Sequence, residues 1–178
     1  MTVTAQHIRD TLTAYLDQYP EDKDALAELA TALTASPDTI ASRKEFTGHA
    51  TAGALLFRPD GHVLLVEHKA LGTWLFPGGH LEDGDDTLQG AALRELAEEM
   101  GIPTEYVDPV SPIPLHIDVH PIPANLAKGE PAHRHYDFRY LFRTEAADVV
   151  SLQAEEVTGF AWRPAHTLGA EALRGRLG

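Results

Sequence analysis

Apolar residues recur at helical spacing at the start of the chain: Ile8, Leu12, Tyr15, Leu16 and Tyr19, then, after the break at Pro20, Leu26, Leu29, Ala30 and Leu33. That period predicts two amphipathic helices forming a hairpin over residues 2–36. Helices this short are stabilised mainly by a surface to pack on. The rest of the chain is the plainer candidate; a lid or the interface of a homodimer is the other. After a polar connection over residues 37–47 the period changes. His49 to Phe57 and Val63 to His68 flank Pro59-Asp60-Gly61 and are rich in β-formers and alanine, which predicts a β-hairpin. Both faces of Ala54–Phe57 and Val63–Val66 are apolar, as in a central sheet covered on two sides.

Between Leu71 and Ile102 a Pro-Gly-Gly loop runs through an acidic turn into a helix expected from about Thr87 to Met100. Asp86 with Gln89 three residues on reads as a capping box, and Gly101 followed by Pro103 as the stop. Ala92, Leu93, Leu96 and Met100 fall on one flank, which predicts a buried face. Glu95, Glu98 and Glu99 stand at i, i+3 and i+4 on another, with Arg94 one turn before Glu98. Carboxylates gathered this closely repel one another, and a divalent cation with hard oxygen ligands, Mg²⁺ or Mn²⁺, relieves them. A solvated acidic face is the bland alternative. The glycine loop just before the helix tips the balance, because its free backbone N–H groups could hold phosphate beside the metal.

Farther on, Leu115 to Val119 reads as a strand, residues 121–132 as a proline-rich loop, and His133 to Phe142 as a second strand. Alternation places His133, His135, Asp137 and Arg139 on one face and Arg134, Tyr136, Phe138, Tyr140 and Phe142 on the other; His116, Asp118 and His120 likewise share a face. If the two strands pair, a His/Asp/Arg surface forms beside the acidic helix. Three readings compete for it: a substrate pocket in which Arg139 and the histidines meet phosphate or a base edge, solvated strand faces, or a second, histidine-bound metal. A last strand is expected from about Val157 to Arg163 and a last helix from about Leu168 to Arg176.

Composition narrows the function. A chain of 178 residues that is 43% hydrophobic suits one catalytic domain plus an appendage, divided here into residues 1–47 and 48–178. Cysteine is absent, which excludes a disulfide framework, a thiolate zinc site and a cysteine nucleophile. A formal charge of −13 disfavours a nucleic-acid polymer as partner and suits a small phosphorylated substrate that brings its own Mg²⁺. No apolar run approaches the length of a membrane span and no signal peptide is evident, so the cytoplasm is the expected compartment.

The stretch Arg94-Glu95-Leu96-Ala97-Glu98-Glu99-Met100-Gly101-Ile102, preceded by Trp74 to Gly79, resembles the Nudix hydrolases. Their box reads Gly, five residues, Glu, seven residues, Arg-Glu-apolar-any-Glu-Glu-any-Gly-apolar. Its second half matches throughout. In its first half Asp85 stands where the family has Glu, and eight residues, not seven, separate Asp85 from Arg94. Because the insertion lies in the turn, Asp85→Asn is expected to cost much less activity than loss of Glu98 or Glu99. The resemblance covers roughly Gly48 to Leu168. It implies an α/β/α sandwich with a mixed sheet and hydrolysis of a diphosphate linked to another group, with Glu95, Glu98 and Glu99 holding Mg²⁺. A cation there would neutralise diphosphate oxygens, orient the phosphorus and acidify a water. Arg94 would orient the acids, and Gly78 and Gly79 would let the loop approach the site. A further carboxylate is expected ahead of the strand bearing Trp162, with Glu156 the better positional match and Glu155 its competitor. Glu98 and Glu156 are the candidate bases. The absence of cysteine counts against the isopentenyl diphosphate isomerase branch. A nucleoside di- or triphosphate, a nucleotide sugar and a prenyl-type diphosphate remain open as substrates, and the altered turn motivates an alternative, a nucleotide-binding or sensor module that does not cleave.

Overall fold

The axis of the sheet is β1 (His49–Phe57) in the computed structural model, which describes residues 2–68, 72–127, 129–145, 157–168 and 171–177. Its alternation sends Ala50, Ala52, Ala54 and Leu56 to one face and His49, Thr51, Gly53 and Leu55 to the other. Eight of its nine residues are buried, as the apolar pattern predicts for a strand covered on both sides. Two helices precede it, α1 (Ala5–Gln18) and α2 (Ala27–Ala35); β2 (His62–His68), β3 (Thr73–Leu75), β4 (Gly78–His80) and α3 (Leu88–Met100) follow. The chain continues with β5 (Asp108–Pro109), β6 (His116–Ile122), β7 (His133–Arg143), β8 (Val157–Pro164) and α4 (Glu171–Leu177).

The sheet is mixed. β7 runs parallel to β1 in the register His49↔His135 to Phe57↔Arg143, while the other pairings are antiparallel. The expected hairpin between β1 and β2 is a turn with little ladder behind it, since the two strands meet only at Phe57↔Val63. Beyond that point β2 turns to β8, pairing from His62↔Pro164 to His68↔Val157, and β4 takes the edge that β2 leaves, from Thr51↔His80 to Gly53↔Gly78. Continuous pairing satisfies the backbone groups of a fully buried strand, and β7 and β4 supply it where β2 does not.

One sheet face packs Ala52, Leu56, Phe138 and Phe142 against Leu88, Ala92, Leu96 and Met100 of α3 and against Ile8, Leu12, Leu29 and Leu33 of the N-terminal helices. The other face packs Leu55 and Leu115 against Leu173 and Leu177 of α4. The sheet is thus a layer between helices, the α/β/α architecture expected. The helical hairpin packs on its own chain. Arg176 of α4 donates to the Tyr15 hydroxyl at 2.6 Å and to Asp22 at 2.9 Å, Tyr15 donates to Asp22, and His7 Nε2 accepts from the Leu88 N–H, one of the free donors at the start of α3.

Two local expectations are corrected. Thr87, not Asp86, caps α3, its hydroxyl accepting from Gly90 N at 2.9 Å, while Gln89 reaches away to the Ser111 carbonyl and forms no capping box. In α2 the side facing the core carries Ala32, and Ala30 is exposed. The stop at Gly101 stands: its φ of 60° is the left-handed conformation that glycine adopts without strain. Among the described residues no helix is long and apolar enough to cross a membrane.

Candidate active site

The acidic stripe of α3 lies against β4, and the two glycines of that strand explain how closely. A Cβ on Gly79 would stand 2.5 Å from Glu95 Oε1, and one on Gly78 would stand 2.7 Å from the Ala52 carbonyl oxygen of β1. Gly78 therefore requires glycine, because the atoms a Cβ would meet are backbone, whereas at Gly79 the Glu95 carboxylate would have to move aside. Gly78 N–H donates to Glu99 Oε2 at 3.2 Å, which anchors that carboxylate to the strand backbone. The stripe grades from inside to outside: the Glu95 side chain is 15% exposed and that of Glu98 is 56% exposed.

Arg94 organises this group. Its Nη1 donates to Glu95 Oε1 at 3.0 Å and to Glu98 Oε2 at 3.1 Å, its Nη2 to the His80 carbonyl at 3.0 Å, and Nε and Nη2 together grip both oxygens of Asp85, each at 3.0 Å. Asp85 is buried and also accepts from Glu82 N at 2.8 Å. The insertion in the turn led to the expectation that Asp85 matters much less than Glu98 or Glu99, yet the geometry ties it directly to Arg94. The insertion in the turn is absorbed so that a shorter acid still reaches the arginine, and Asp85 is the fixed point from which Arg94 holds two of the three glutamates.

Burial pushes the Glu95 carboxyl above the usual carboxylate range; Arg94 opposes the shift, and the charges of Glu98 and Glu82 add to it. The Asp85 carboxyl is buried too, but the hydrogen bonds from Arg94 and from Glu82 N outweigh burial and hold it below that range. Glu82 was missed by the sequence reasoning; its only signal was another acid in the acidic turn, and the fold alone brings it near Glu95. One guanidinium thus faces Asp85, Glu95 and Glu98, with Glu82 and Glu99 close by. The local charge stays negative and every donor is a hard oxygen, so the residues present fit a divalent cation such as Mg²⁺ or Mn²⁺.

The expected pairing of the two polar strands is present, from His116↔Arg139 through Asp118↔Asp137 to His120↔His135. The polar surface, however, lies on the sheet face away from α3: Tyr136 and Phe138 turn toward the helix, so His135, Asp137 and Arg139 turn the other way. Arg139 is committed within it, donating to Asp118 Oδ2 and Asp137 Oδ2 at 2.8 Å each. Its charge is already matched by two carboxylates. The Asp118 carboxyl is held well below its usual range, first by the hydrogen bond with His120 and then, against burial, by the charge of Arg139.

The predicted histidines do not stay together. His116 is set apart, close enough to Arg139 and Arg176 that their charges add to the effect of burial in lowering its pKa. His120, His133 and His135 gather instead with His49 and His80, neither of which stood out in the sequence. Ring centroids lie 4.8 Å apart for His49 and His135, 5.0 Å for His49 and His133, and 5.2 Å for His80 and His135. Burial, reinforced by the neighbouring imidazoles, pushes His135 down to about 2. Glu156 and its competitor Glu155 lie outside the described residues.

A helix of glutamates held by an arginine against a Gly-Gly strand in a mixed sheet is the arrangement that the resemblance in the sequence implies, and comparison with known proteins agrees on the family. The family described as the NUDIX domain matches residues 47–177, and the chain belongs to the Nudix hydrolase family. An RNA pyrophosphohydrolase of Caulobacter vibrioides is 35% identical over 118 residues, covering 62% of this chain and 67% of that protein. The Xenopus laevis protein "nucleoside diphosphate-linked moiety X motif 6" is 42% identical over 57 residues, 31% of this chain and 26% of its own length. The chain thus spans only about a quarter of that relative, and it spans 32% of the Nudix hydrolase NudL of Cronobacter sakazakii. Among solved structures, an Ap4A hydrolase of C. elegans superposes with a TM-score of 0.51 at 22% identity, covering 72% of this chain and 91% of that one. The E. coli dihydroneopterin triphosphate pyrophosphohydrolase does so with 0.51 at 16% identity, over the same shares. At these identities the likeness is one of fold.

Proposed function

We propose that the chain is a Mg²⁺- or Mn²⁺-dependent pyrophosphohydrolase that cleaves the diphosphate linkage of a small nucleotide-type substrate by attack of water at phosphorus. One observation carries the reading: on one stripe of α3, Glu95 and Glu99 stand against β4 while Arg94, bonded to Asp85, bridges Glu95 and Glu98. The three glutamates would hold the cation, which supplies neutralisation of the diphosphate oxygens and a more acidic water. The protein's own groups do the rest. Arg94, fixed by Asp85 and the His80 carbonyl, keeps the Glu95 and Glu98 carboxylates oriented. Glu98, whose side chain is 56% exposed and so open to water, is one candidate to accept the proton of an incoming water; Glu156 is the other.

The likeness to an RNA pyrophosphohydrolase concerns that protein. Here a charge of −13 opposes approach of a long polyanion, and a small phosphorylated substrate is favoured. The alternative is a module that binds a nucleotide without cleaving it, motivated by the altered turn; the bonds from Arg94 to Asp85 within that turn favour the hydrolase. The test is a panel of dinucleoside polyphosphates, nucleotide sugars and nucleoside triphosphates incubated with Mg²⁺ or Mn²⁺ and a phosphatase-coupled readout. Metal-dependent release of phosphate from at least one member is the expected result. Tight binding by calorimetry with no product after long incubation would establish the module instead.

A further inference from the structure

We infer that His49, His133 and His135 form a second metal site, for a borderline transition-metal ion such as Zn²⁺, on the sheet face opposite the glutamates. One ligand nitrogen from each of these histidines lies within 4.8 Å of the others. The tautomers of two of them are set by the backbone. His49 Nδ1 stands 2.9 Å from the Glu45 carbonyl and His133 Nδ1 stands 2.8 Å from the Pro131 carbonyl, and since a carbonyl only accepts, both Nδ1 atoms carry the proton. Each Nε2 therefore presents a lone pair. An imidazole that donates its other N–H to a backbone carbonyl is the usual arrangement of a metal-ligating histidine, because that bond fixes the ring and raises its basicity.

Two further observations separate this cluster from a chance gathering. His49 is 1% exposed, and its Nε2 is buried with no hydrogen-bond partner among the described residues. Leaving a lone pair buried and unmatched is unfavourable, and an ion at the centre of the cluster satisfies it. His133 Nε2 and His135 Nε2 stand 3.3 Å apart. Two nitrogens each about 2.05 Å from a tetrahedral ion are separated by roughly the same distance, about 3.3 Å. A hydrogen bond between the two rings fits that distance as well, but it leaves His49 Nε2 unmatched.

The ligand set determines the kind of ion. Three neutral imidazoles suit Zn²⁺, Co²⁺ or Ni²⁺ and suit Mg²⁺ poorly, whereas the glutamate stripe has the reverse preference. The molecule thus carries two sites of different chemistry on the two sides of β4. The histidine site stands independently of the hydrolase reading. An ion held there pins the start of β1 to the start of β7, with the fourth position going to solvent or an anion.

The test uses full-length protein without a polyhistidine tag, stripped of metal with a chelator and titrated with Co²⁺. Wild type is expected to take up one Co²⁺ per chain with the intense visible absorption of four-coordinate cobalt, displaced by equimolar Zn²⁺ and untouched by a large excess of Mg²⁺. Zn²⁺ should raise the melting temperature of wild type and of Glu99→Gln alike. His135→Gln, and separately His133→Gln, should weaken Co²⁺ binding at least a hundredfold and abolish the Zn²⁺-induced rise. Absence of the visible band in wild type overturns the inference, as does displacement of Co²⁺ by Mg²⁺ or binding that survives both histidine substitutions. The wild-type titration alone can overturn it, so the result does not depend on a variant folding.

Discussion

Asp85→Asn removes one negative charge and changes little in shape, yet the structure makes it costly. Asp85 accepts three hydrogen bonds, from Arg94 Nε, Arg94 Nη2 and Glu82 N. Asparagine has one acceptor oxygen, and whichever way its amide is turned the NH₂ group faces a donor. Breaking a buried ion pair costs about 3–5 kcal/mol. Arg94 keeps Glu95, Glu98 and the His80 carbonyl, and the asparagine oxygen keeps one donor, so a loss of about 2 kcal/mol is expected. For a chain of this size that lowers the melting temperature by roughly 4–8 °C. Function should suffer through the arginine. Replacing a residue that orients metal ligands typically costs about 10- to 100-fold in metal affinity or activity, and a drop of that size in kcat/KM, with weaker Mg²⁺ dependence, is expected. Thermal melts and steady-state kinetics across a Mg²⁺ titration are the assays. A variant that melts with wild type and keeps its Mg²⁺ dependence would refute the idea that Arg94 is held from Asp85.

Glu99→Gln or Glu98→Gln should lower turnover by about a hundredfold or more, while the metal-free protein melts no lower than wild type and gains less from added Mg²⁺. Gly79→Ala places a methyl within 2.5–2.8 Å of the Glu95 carboxylate, the movable end of a side chain; urea unfolding should change little while the Mg²⁺ concentration for half-maximal activity rises about tenfold or more. Asp22 is half-buried, but the hydrogen bonds from Tyr15 and Arg176 outweigh the cost of desolvation and lower its pKa in the folded protein. A depressed carboxyl stabilises the fold above its unfolded pKa, near 3.9, and loses that contribution as pH falls through the folded value. Asp22→Asn should therefore cost about 2 kcal/mol in urea unfolding at pH 7 and progressively less below pH 4; a difference that stays constant with pH would sink this account.

What could be read in the sequence was what neighbours in the chain decide. The spacing of Glu95, Glu98 and Glu99 places them on one helical stripe wherever the helix goes, and alternation sorts Asp137 with Arg139 on one face of β7, and His116 with Asp118 and His120 on one face of β6, before any pairing is known. The edge of the sheet that each strand finds was not legible. β1 and β2 look like a hairpin because a turn joins them, but burial on both faces draws β1 to β7 and β4 instead. His49 and His80 were overlooked for the same reason. Each is an ordinary residue at the end of its own strand, and only the register His49↔His135 and Thr51↔His80 brings them to a common centre. The bonds between Asp85 and Arg94 were not legible either, because a count of residues between motif positions does not show that a turn can absorb one more.

The parallel pairing of β1 with β7 also bears on how the protein folds. Thr51 and Asp137, bonded across that pair, are 86 residues apart, whereas β4 and α3 lie within about 50 residues of β1. Closing the longer loop carries an entropic cost that local contacts do not face, so long-range parallel pairing is slow, on the order of milliseconds to seconds. During synthesis the segment bearing the glutamates is complete while β7 is still to be made, at about 5–20 residues per second. Through that interval β1, an alanine- and leucine-rich strand destined for the middle of the sheet, has its longest edge unpaired. Aggregation of nascent or refolding protein should therefore start from residues 49–57, and conditions that speed the arrival of β7 should suppress it more than those that strengthen α3.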